Sequence, residues 1–261
     1  MQGNQVVFVD GVRTPFGRAG EKGMYWKARA DDMIVSAIIG LLERNPSIPA
    51  ERIDDVAIAA TTQKGDQGLT LGRTAAILAG LPLSVPGFAI DRMCAGAMTA
   101  VTTLSGGIAA GAYDIALAGG VEHMGRHPLG RDIDPNPRFL AEKLVSPDAL
   151  NMGITAERLH DRFPQLTKER ADRMGMLSQH KVEAAYQAGH IQADLIPVAL
   201  PSDEGYGMAT EDEGRRPGTT MEALAELKTP FRPHGKVTAG NASPLTDGAT
   251  IAALASEGTA R

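Results

Sequence analysis

The chain has 261 residues, enough for one large domain or two smaller ones, and its 43 % hydrophobic and 22 % charged residues are the mix of an ordinary globular protein. A net charge of −5 excludes the basic footprint of a nucleic-acid-binding domain, and no apolar run approaches the roughly 18 residues that span a bilayer, so no membrane partner is expected. The single cysteine excludes an intramolecular disulfide and a multi-cysteine zinc site, no metal is expected, and the N-terminus lacks a basic-then-apolar leader, which points to a reducing, cytoplasmic location.

Val6–Val9 reads as the first strand, followed by the turn-rich stretch Gly11–Arg18 with two arginines. A helix is predicted over Met33–Leu42, introduced by Asp31 and Asp32 where the helix dipole favours acids. Asp54–Ala60 reads as a second strand, Leu71–Ala79 as a short helix ending before Gly80, and Pro86–Ile90 as a third strand. Beyond Cys94 the stripe Ala97, Val101, Leu104, Ile108 has helical spacing, with Gly106 and Gly107 marking close approach to another backbone and Gly111 as C-cap. Asp114–Ala118 is a fourth strand, and the alternation predicts an α/β layer with parallel neighbours. The texture then changes. Gly125–Thr155 reads as an aperiodic excursion, followed by a helix over Lys168–Gln187, a strand at Leu195–Leu200, an exposed acidic loop at Pro201–Pro217 and a small-residue loop at Thr238–Ser243. Ala249–Ala255 returns to a buried-strand pattern, and Glu257–Arg261 resembles the start of a covering helix, so the chain is expected to be the front part of a longer protein.

The most informative residue is Cys94, in Asp91-Arg92-Met93-Cys94-Ala95-Gly96-Ala97-Met98. An apolar lead-in, a turn of small residues and a following helix place the sulfur at a helix N-terminus, where unpaired N–H groups and the dipole favour an anion. The thiolate is the nucleophilic form. The competing reading is a buried cysteine acting as a small hydrophobe; the flanking pattern favours the nucleophile.

Four further segments complete a pattern: Arg13-Thr14-Pro15-Phe16-Gly17, Gly119-Gly120-Val121-Glu122-His123-Met124, Asn151-Met152-Gly153-Ile154-Thr155-Ala156-Glu157, and Thr238-Ala239-Gly240-Asn241-Ala242-Ser243 before Asp247-Gly248-Ala249. In order and spacing, over essentially the whole chain, they resemble the N-terminal half of a thiolase, an acyl-CoA C-acyltransferase. The resemblance implies an α/β fold, a layered βαβαβαββ half with a mixed five-stranded sheet and helices on both faces, plus an inserted loop domain. The core would comprise residues 1–118 and 247–261, the loop domain 119–246 would carry CoA-binding and oligomer contacts, and the C-terminal half would lie outside this chain. It implies thiolytic cleavage of 3-ketoacyl-CoA or Claisen condensation of acyl-CoAs through a Cys94 acyl-enzyme, with the Cys94 backbone N–H as oxyanion donor. CoA and acyl-CoA are then substrates, no cofactor is tightly bound, and the assembly is a homodimer or homotetramer.

By the same resemblance Ser243 contacts the pantetheine arm, Arg216 lies near the CoA nucleotide, and Met152 lines the acyl pocket. Asn151 stands where short-chain biosynthetic relatives often carry histidine, which favours a degradative or broader enzyme. Asp91 replaces a common asparagine, and Ala95-Gly96-Ala97 lacks the serine common after the nucleophile. The family's second cysteine, its Gly-His-Pro histidine and its Asn-Glu-Ala-Phe segment are absent, so the chain alone is expected not to turn over. His127-Pro128-Leu129-Gly130 follows Arg126 and not glycine, so His127 reads as an exposed loop histidine. Glu122 and His123 read as packing below the nucleophile. Two other readings fit the same residues: a ketoacyl-synthase-like condensing enzyme, which the Asn151–Glu157 motif disfavours, and a non-catalytic thiolase-like lipid- or acyl-CoA-binding protein.

Overall fold

A computed structural model describes residues 3–203 and 205–261. The chain divides into two compact units: residues up to Leu129 with Ile191–Gly214 and Leu245–Arg261, and Gly130–His190 with Arg215–Pro244.

The first unit is built on a mixed sheet. Its strands are β1 (Val6–Arg13), the short β2 (Gly17–Arg18), β3 (Asp55–Ala59), β4 (Phe88–Ile90), β5 (Ile115–His123) and β8 (Thr246–Ser256). The order is β1-β8-β5-β3-β4, with β2 pairing β8 off this path. β3 runs parallel to β4 and β5; β8 runs antiparallel to β5 and β1. Helices α1 (Ala30–Arg44) and α2 (Leu71–Leu78) cover one face and α3 (Gly96–Ala109) the other. Period-two alternation sorts the side chains. Val56, Ile58, Ile115 and Leu117 join Met33, Ile34 and Ile38 of α1, whereas Ala57, Ala116 and Ala118 meet Ala100, Leu104 and Ile108 of α3.

The α3 face is lined with alanine because the helix lies close to the sheet. A Cβ on Gly96 would stand 2.7 Å from the Ala59 Cβ, and one on Gly120 3.2 Å from the Ala97 Cβ. The buried stripe of α3 is therefore Gly96, Ala100, Leu104 and Ile108, with Ala97 and Val101 at its margin, a shift from the expected one. Gly107 faces the Tyr113 ring instead of a backbone, and Gly106 faces open space.

Several limits differ from expectation. β1 continues to Arg13 across a bulge between Phe8 and Asp10. β5 runs on through Gly119–His123, because glycine at 119 lets β8 approach; a Cβ there would lie 2.1 Å from the Thr250 carbonyl oxygen. Residues 191–214 return to the first unit. The Arg13 N–H donates to the Asp194 carbonyl, the Ile196 N–H to the Arg13 carbonyl, and the Arg13 guanidinium binds both carboxylate oxygens of Asp212 at 2.6 and 2.8 Å. The compact units thus part at Leu129, 190/191, 214/215 and 244/245. Inside 201–217, read as loop, Gly205–Ala209 forms strand β7, paired with β6 (Val198–Ser202).

The second unit holds helices α4 (Arg138–Ala141), α5 (Met152–Arg162), α6 (Lys168–Gln187) and α7 (Met221–Ala225). α5 was not anticipated. Met152, Ala156, Leu159 and Phe163 fall at helical spacing, but its only buried residue is Glu157. A short C-terminal helix, α8 (Glu257–Ala260), belongs to the first unit. Among the described residues no helix is long and apolar enough to cross a membrane.

Candidate active site

Parallel strands β3, β4 and β5 end together, and their following loops build the site. The loop after β4 turns sharply. The Asp91 carboxylate accepts the Met93 N–H at 3.0 Å, Met93 adopts a left-handed φ of 49°, and one 3-10 turn, Met93–Ala95, leads straight into α3. Cys94 sits on that turn and is exposed.

Cys94 lines a cavity of about 310 Å³ within the first unit. Its walls are mostly small and apolar, including Ala59, Ala60, Ala97, Gly120 and Ala249, with the Phe16 ring from the Arg-Thr-Pro-Phe-Gly segment. That segment is locked in place. The Phe16 N–H donates to Asp212 at 2.8 Å, the Arg13 guanidinium stacks 4.8 Å from the ring centroid, and the Glu213 carboxylate accepts the Arg18 N–H at 2.8 Å.

Glu122 also lines the cavity. Its carboxylate accepts the Thr61 N–H and the Gln67 Nε2–H, each at 2.8 Å. Gln67 is fully buried and its Oε1 accepts the His123 N–H at 2.6 Å. Sequence reasoning missed Gln67; a polar residue in a glycine-rich loop gives no signal of burial. His123 is itself fully buried, with Nε2 2.9 Å from the Tyr25 carbonyl oxygen. Its Nδ1 stands 3.1 Å from the Arg126 backbone nitrogen and 3.3 Å from Asp247 Oδ2. That oxygen is buried with no hydrogen-bond partner among the described residues. Burial opposes charging of His123, but the adjacent Asp247 carboxylate and the Tyr25 carbonyl outweigh it, and the pKa lies above the ordinary histidine value.

His127 is not an exposed loop histidine. It is half-buried and its Nε2 pairs with Asp66, a carboxylate that also takes the Ala30 N–H at 3.2 Å and the Arg126 guanidinium at 2.9 Å. Burial pushes Asp66 up, but these cationic and N–H partners hold its pKa below the usual carboxylate value.

The other predicted residues lie in the second unit. Asn151 caps α5, its Oδ1 accepting the Ile154 N–H at 3.1 Å. Met152 follows, exposed at 71 %. The neighbouring Gly153 is covered by the Phe231 ring, a residue the sequence reading did not single out; a Cβ there would come within 2.1 Å of it. The Arg216 side chain is exposed while its N–H donates to Gln179 Oε1 at 2.7 Å. Nearby, a cavity of about 330 Å³ is lined by Met176, His180 and residues 217–222. Ser243 is exposed on the small-residue loop. Among the described residues no group of three or more His, Cys, Asp or Glu could hold a metal ion.

A sequence profile described as "Thiolase, N-terminal domain" matches residues 6–258. The chain belongs to the thiolase family. It is 39 % identical over 252 residues to a 3-ketoacyl-CoA thiolase of Saccharophagus degradans, covering 96 % of this chain and 63 % of that protein. It is 36 % identical over 265 residues to a beta-ketoadipyl-CoA thiolase of Acinetobacter baylyi, covering 95 % and 65 %. The chain thus spans just under two thirds of these relatives' length. Among solved structures it resembles human mitochondrial 3-ketoacyl-CoA thiolase, with a TM-score of 0.85 at 28 % identity, covering 99 % of this chain and 67 % of that one. It also resembles the Bacillus anthracis acetyl-CoA acetyltransferase, with a TM-score of 0.85 at 29 % identity and the same coverage. The layered α/β half expected from the motifs is therefore the thiolase fold.

Proposed function

We propose that this thiolase chain carries the nucleophile of an acyl-CoA C-acyltransferase and that Cys94 is that nucleophile. The observation that carries the reading is an exposed cysteine on a tight turn at the start of α3, lining an apolar cavity. The Cys94 sulfur attacks the thioester carbonyl carbon of an acyl-CoA. The carbonyl oxygen becomes an oxyanion, stabilised by the Cys94 N–H. Collapse expels CoA as its thiolate, which takes up a proton, and leaves an acyl-cysteine. In condensation the carbanion of a second acyl-CoA attacks the acyl-cysteine, forming the new C–C bond and freeing the sulfur. In thiolysis the sulfur instead attacks the 3-keto carbon of a 3-ketoacyl-CoA, the C2–C3 bond breaks, and acetyl-CoA leaves as a carbanion that takes up a proton. A CoA thiol then carries the shortened acyl group off the cysteine. Thiolysis of 3-ketoacyl-CoA and Claisen condensation are the two directions of this scheme.

The remaining assignments belong to the same proposal. Ser243 meets the pantetheine arm, Arg216 the nucleotide, Met152 and Asn151 the acyl end, and the second compact unit is the CoA-binding insertion. CoA and acyl-CoA bind as substrates, with no tightly bound cofactor. The proton-shuttling cysteine and the Gly-His-Pro histidine come from beyond this chain, so the chain alone does not turn over. Among the described residues β4, like β1 at the other end of the sheet, is paired on one side only, and an open edge at β4 supports assembly as a homodimer or homotetramer. The test is mass spectrometry of the full-length gene product after incubation with acetyl-CoA. One acetyl group per chain is expected on Cys94, and none in Cys94→Ala. An unmodified Cys94 in folded protein would favour the non-catalytic, acyl-CoA-binding alternative.

A further inference from the structure

Helix α6 is polar, yet one of its faces is engaged along most of its length. Asp172, Gly175, Gln179, Glu183 and Tyr186 follow one another at three- and four-residue steps, and so share a face. Two loops rest on this face, and they are the two that carry Ser243 and Arg216.

At the N-terminal half of α6, Asp172 is 2 % exposed and both its oxygens are used. Oδ1 accepts Asn241 Nδ2–H at 2.7 Å, and Oδ2 accepts Lys168 Nζ–H at 2.6 Å. The same ammonium reaches the Leu224 carbonyl at 3.0 Å, at the end of α7. Asn241 in turn shapes its own loop: Oδ1 accepts the Thr238 N–H at 2.8 Å and Nδ2 donates to the Lys236 carbonyl at 2.9 Å. One turn on, Gly175 lets the loop settle on the helix, since a Cβ there would lie 2.2 Å from the Gly240 carbonyl oxygen.

At the C-terminal half, Gln179 Oε1 accepts the Arg216 N–H at 2.7 Å, and His180 Nε2 lies 3.1 Å from the Thr219 carbonyl oxygen. Glu183 pairs with Arg215 at 3.0 Å, and that guanidinium stacks 3.8 Å from the Tyr186 ring centroid. Arg215 and Arg216 therefore have different tasks. Arg215 fastens the loop to α6, and the exposed Arg216 turns its guanidinium back to donate to the Arg215 carbonyl at 3.0 Å.

We propose that α6 is the spacer that fixes the distance between the nucleotide end and the pantetheine end of a bound coenzyme A thioester, with Asp172 and Gly175 as positioning residues for the Ser243 loop. The inference rests on the acyl-CoA reading above. A rigid helix advances about 1.5 Å per residue, so anchors eleven residues apart, as at Asp172 and Glu183, are held about 16 Å apart along its axis. Neither carboxylate need touch the ligand for this to matter, because misplacement of a contact by about 1 Å costs up to ~100-fold.

The test is calorimetric binding of CoA to the full-length gene product, with acyl-CoA kinetics beside it. Asp172→Ala removes both bonds, and Gly175→Ala drives a methyl into the Gly240 carbonyl. Each is expected to weaken CoA binding about tenfold or more and to raise KM with kcat largely kept. Asp172→Asn keeps an acceptor for Asn241 and is expected to recover most of the affinity. Thermal melts establish that each variant folds, and alkylation of Cys94 by iodoacetamide, in the other compact unit, is expected to stay within about twofold of wild type. Unchanged CoA affinity in folded Asp172→Ala and Gly175→Ala overturns the spacer role while leaving the acyl-CoA reading intact. A loss of kcat and Cys94 reactivity with KM unchanged also overturns it, since that marks general destabilisation. No CoA binding by the folded wild-type protein overturns both.

Discussion

Replacing Asp91 tests how the nucleophile turn is held. Met93 has a left-handed φ of 49°, which costs a non-glycine residue about 1–2 kcal/mol. The Asp91 carboxylate offsets this by accepting the Met93 N–H at 3.0 Å. Bonds to charged acceptors contribute about 1.5–3 kcal/mol, and an exposed site lies at or below the lower end of that range. The two contributions nearly cancel, so the turn is finely balanced. Asp91→Ala leaves it disfavoured by about 1 kcal/mol, and every 1.4 kcal/mol is tenfold. The rate of acyl-enzyme formation from acetyl-CoA, read by quenched-flow mass spectrometry on the full-length gene product, should fall about five- to tenfold. Asp91→Asn keeps an oxygen at the same place and should stay within about twofold of wild type. The carboxylate that departs from the common asparagine is on this account a like-for-like replacement as an acceptor. Equal rates in the alanine and asparagine variants would refute it.

Two further outcomes follow from buried groups. The pKa of His123 is raised in the folded protein above its unfolded value of about 6.5, so its contribution to stability is present below that pH and is lost as pH rises through the folded value. The melting temperature should decline across that window in wild type and be flatter in His123→Gln; parallel profiles would dismiss the Asp247 partnership. In Gly153→Ala the new methyl meets Phe231 ring atoms at 2.1–2.3 Å, and overpacking of this kind costs about 1–3 kcal/mol. A lower melting temperature and a higher KM for acyl-CoA are expected, and an unaltered KM would separate Phe231 from the substrate path.

The strands and helices of the layered unit were legible because their burial is two-sided or striped. β3 is buried at every residue, and α1 carries acids at its start and seven buried positions. The turn at Cys94 was legible for a similar reason, since small residues between an apolar run and a helix leave few alternatives. What escaped reading was held by polar atoms. α5 is anchored by one buried glutamate, Glu157, which accepts the Lys236 and Val237 N–H groups at 2.8 Å and pairs with Arg232 at 3.0 Å. Its apolar residues Met152, Leu159 and Phe163 have helical spacing but stay exposed. Gln67 and Asp66 are buried through partners 55 to 61 residues away, and His127 is drawn inward by one of them. Long-range hydrogen bonds leave no local period. β5 was cut short for the opposite reason, because Gly119 and Gly120 resemble a turn when they in fact let neighbouring backbone pass.

The place of β8 governs how the molecule is made. This strand comes from residues 246–256, yet it lies between β1 and β5 and pairs with both. During synthesis the first two hundred and more residues emerge before the strand that joins these two exists, and at about 5–20 residues per second that wait lasts on the order of ten seconds or more. Until then β1, and β5 from the time it is made, lack this neighbour, and closing the sheet must bridge the more than two hundred residues between β1 and β8. Ribosome-bound intermediates stalled before residue 246 should therefore be the species that chaperones bind, and release should coincide with the arrival of the middle strand.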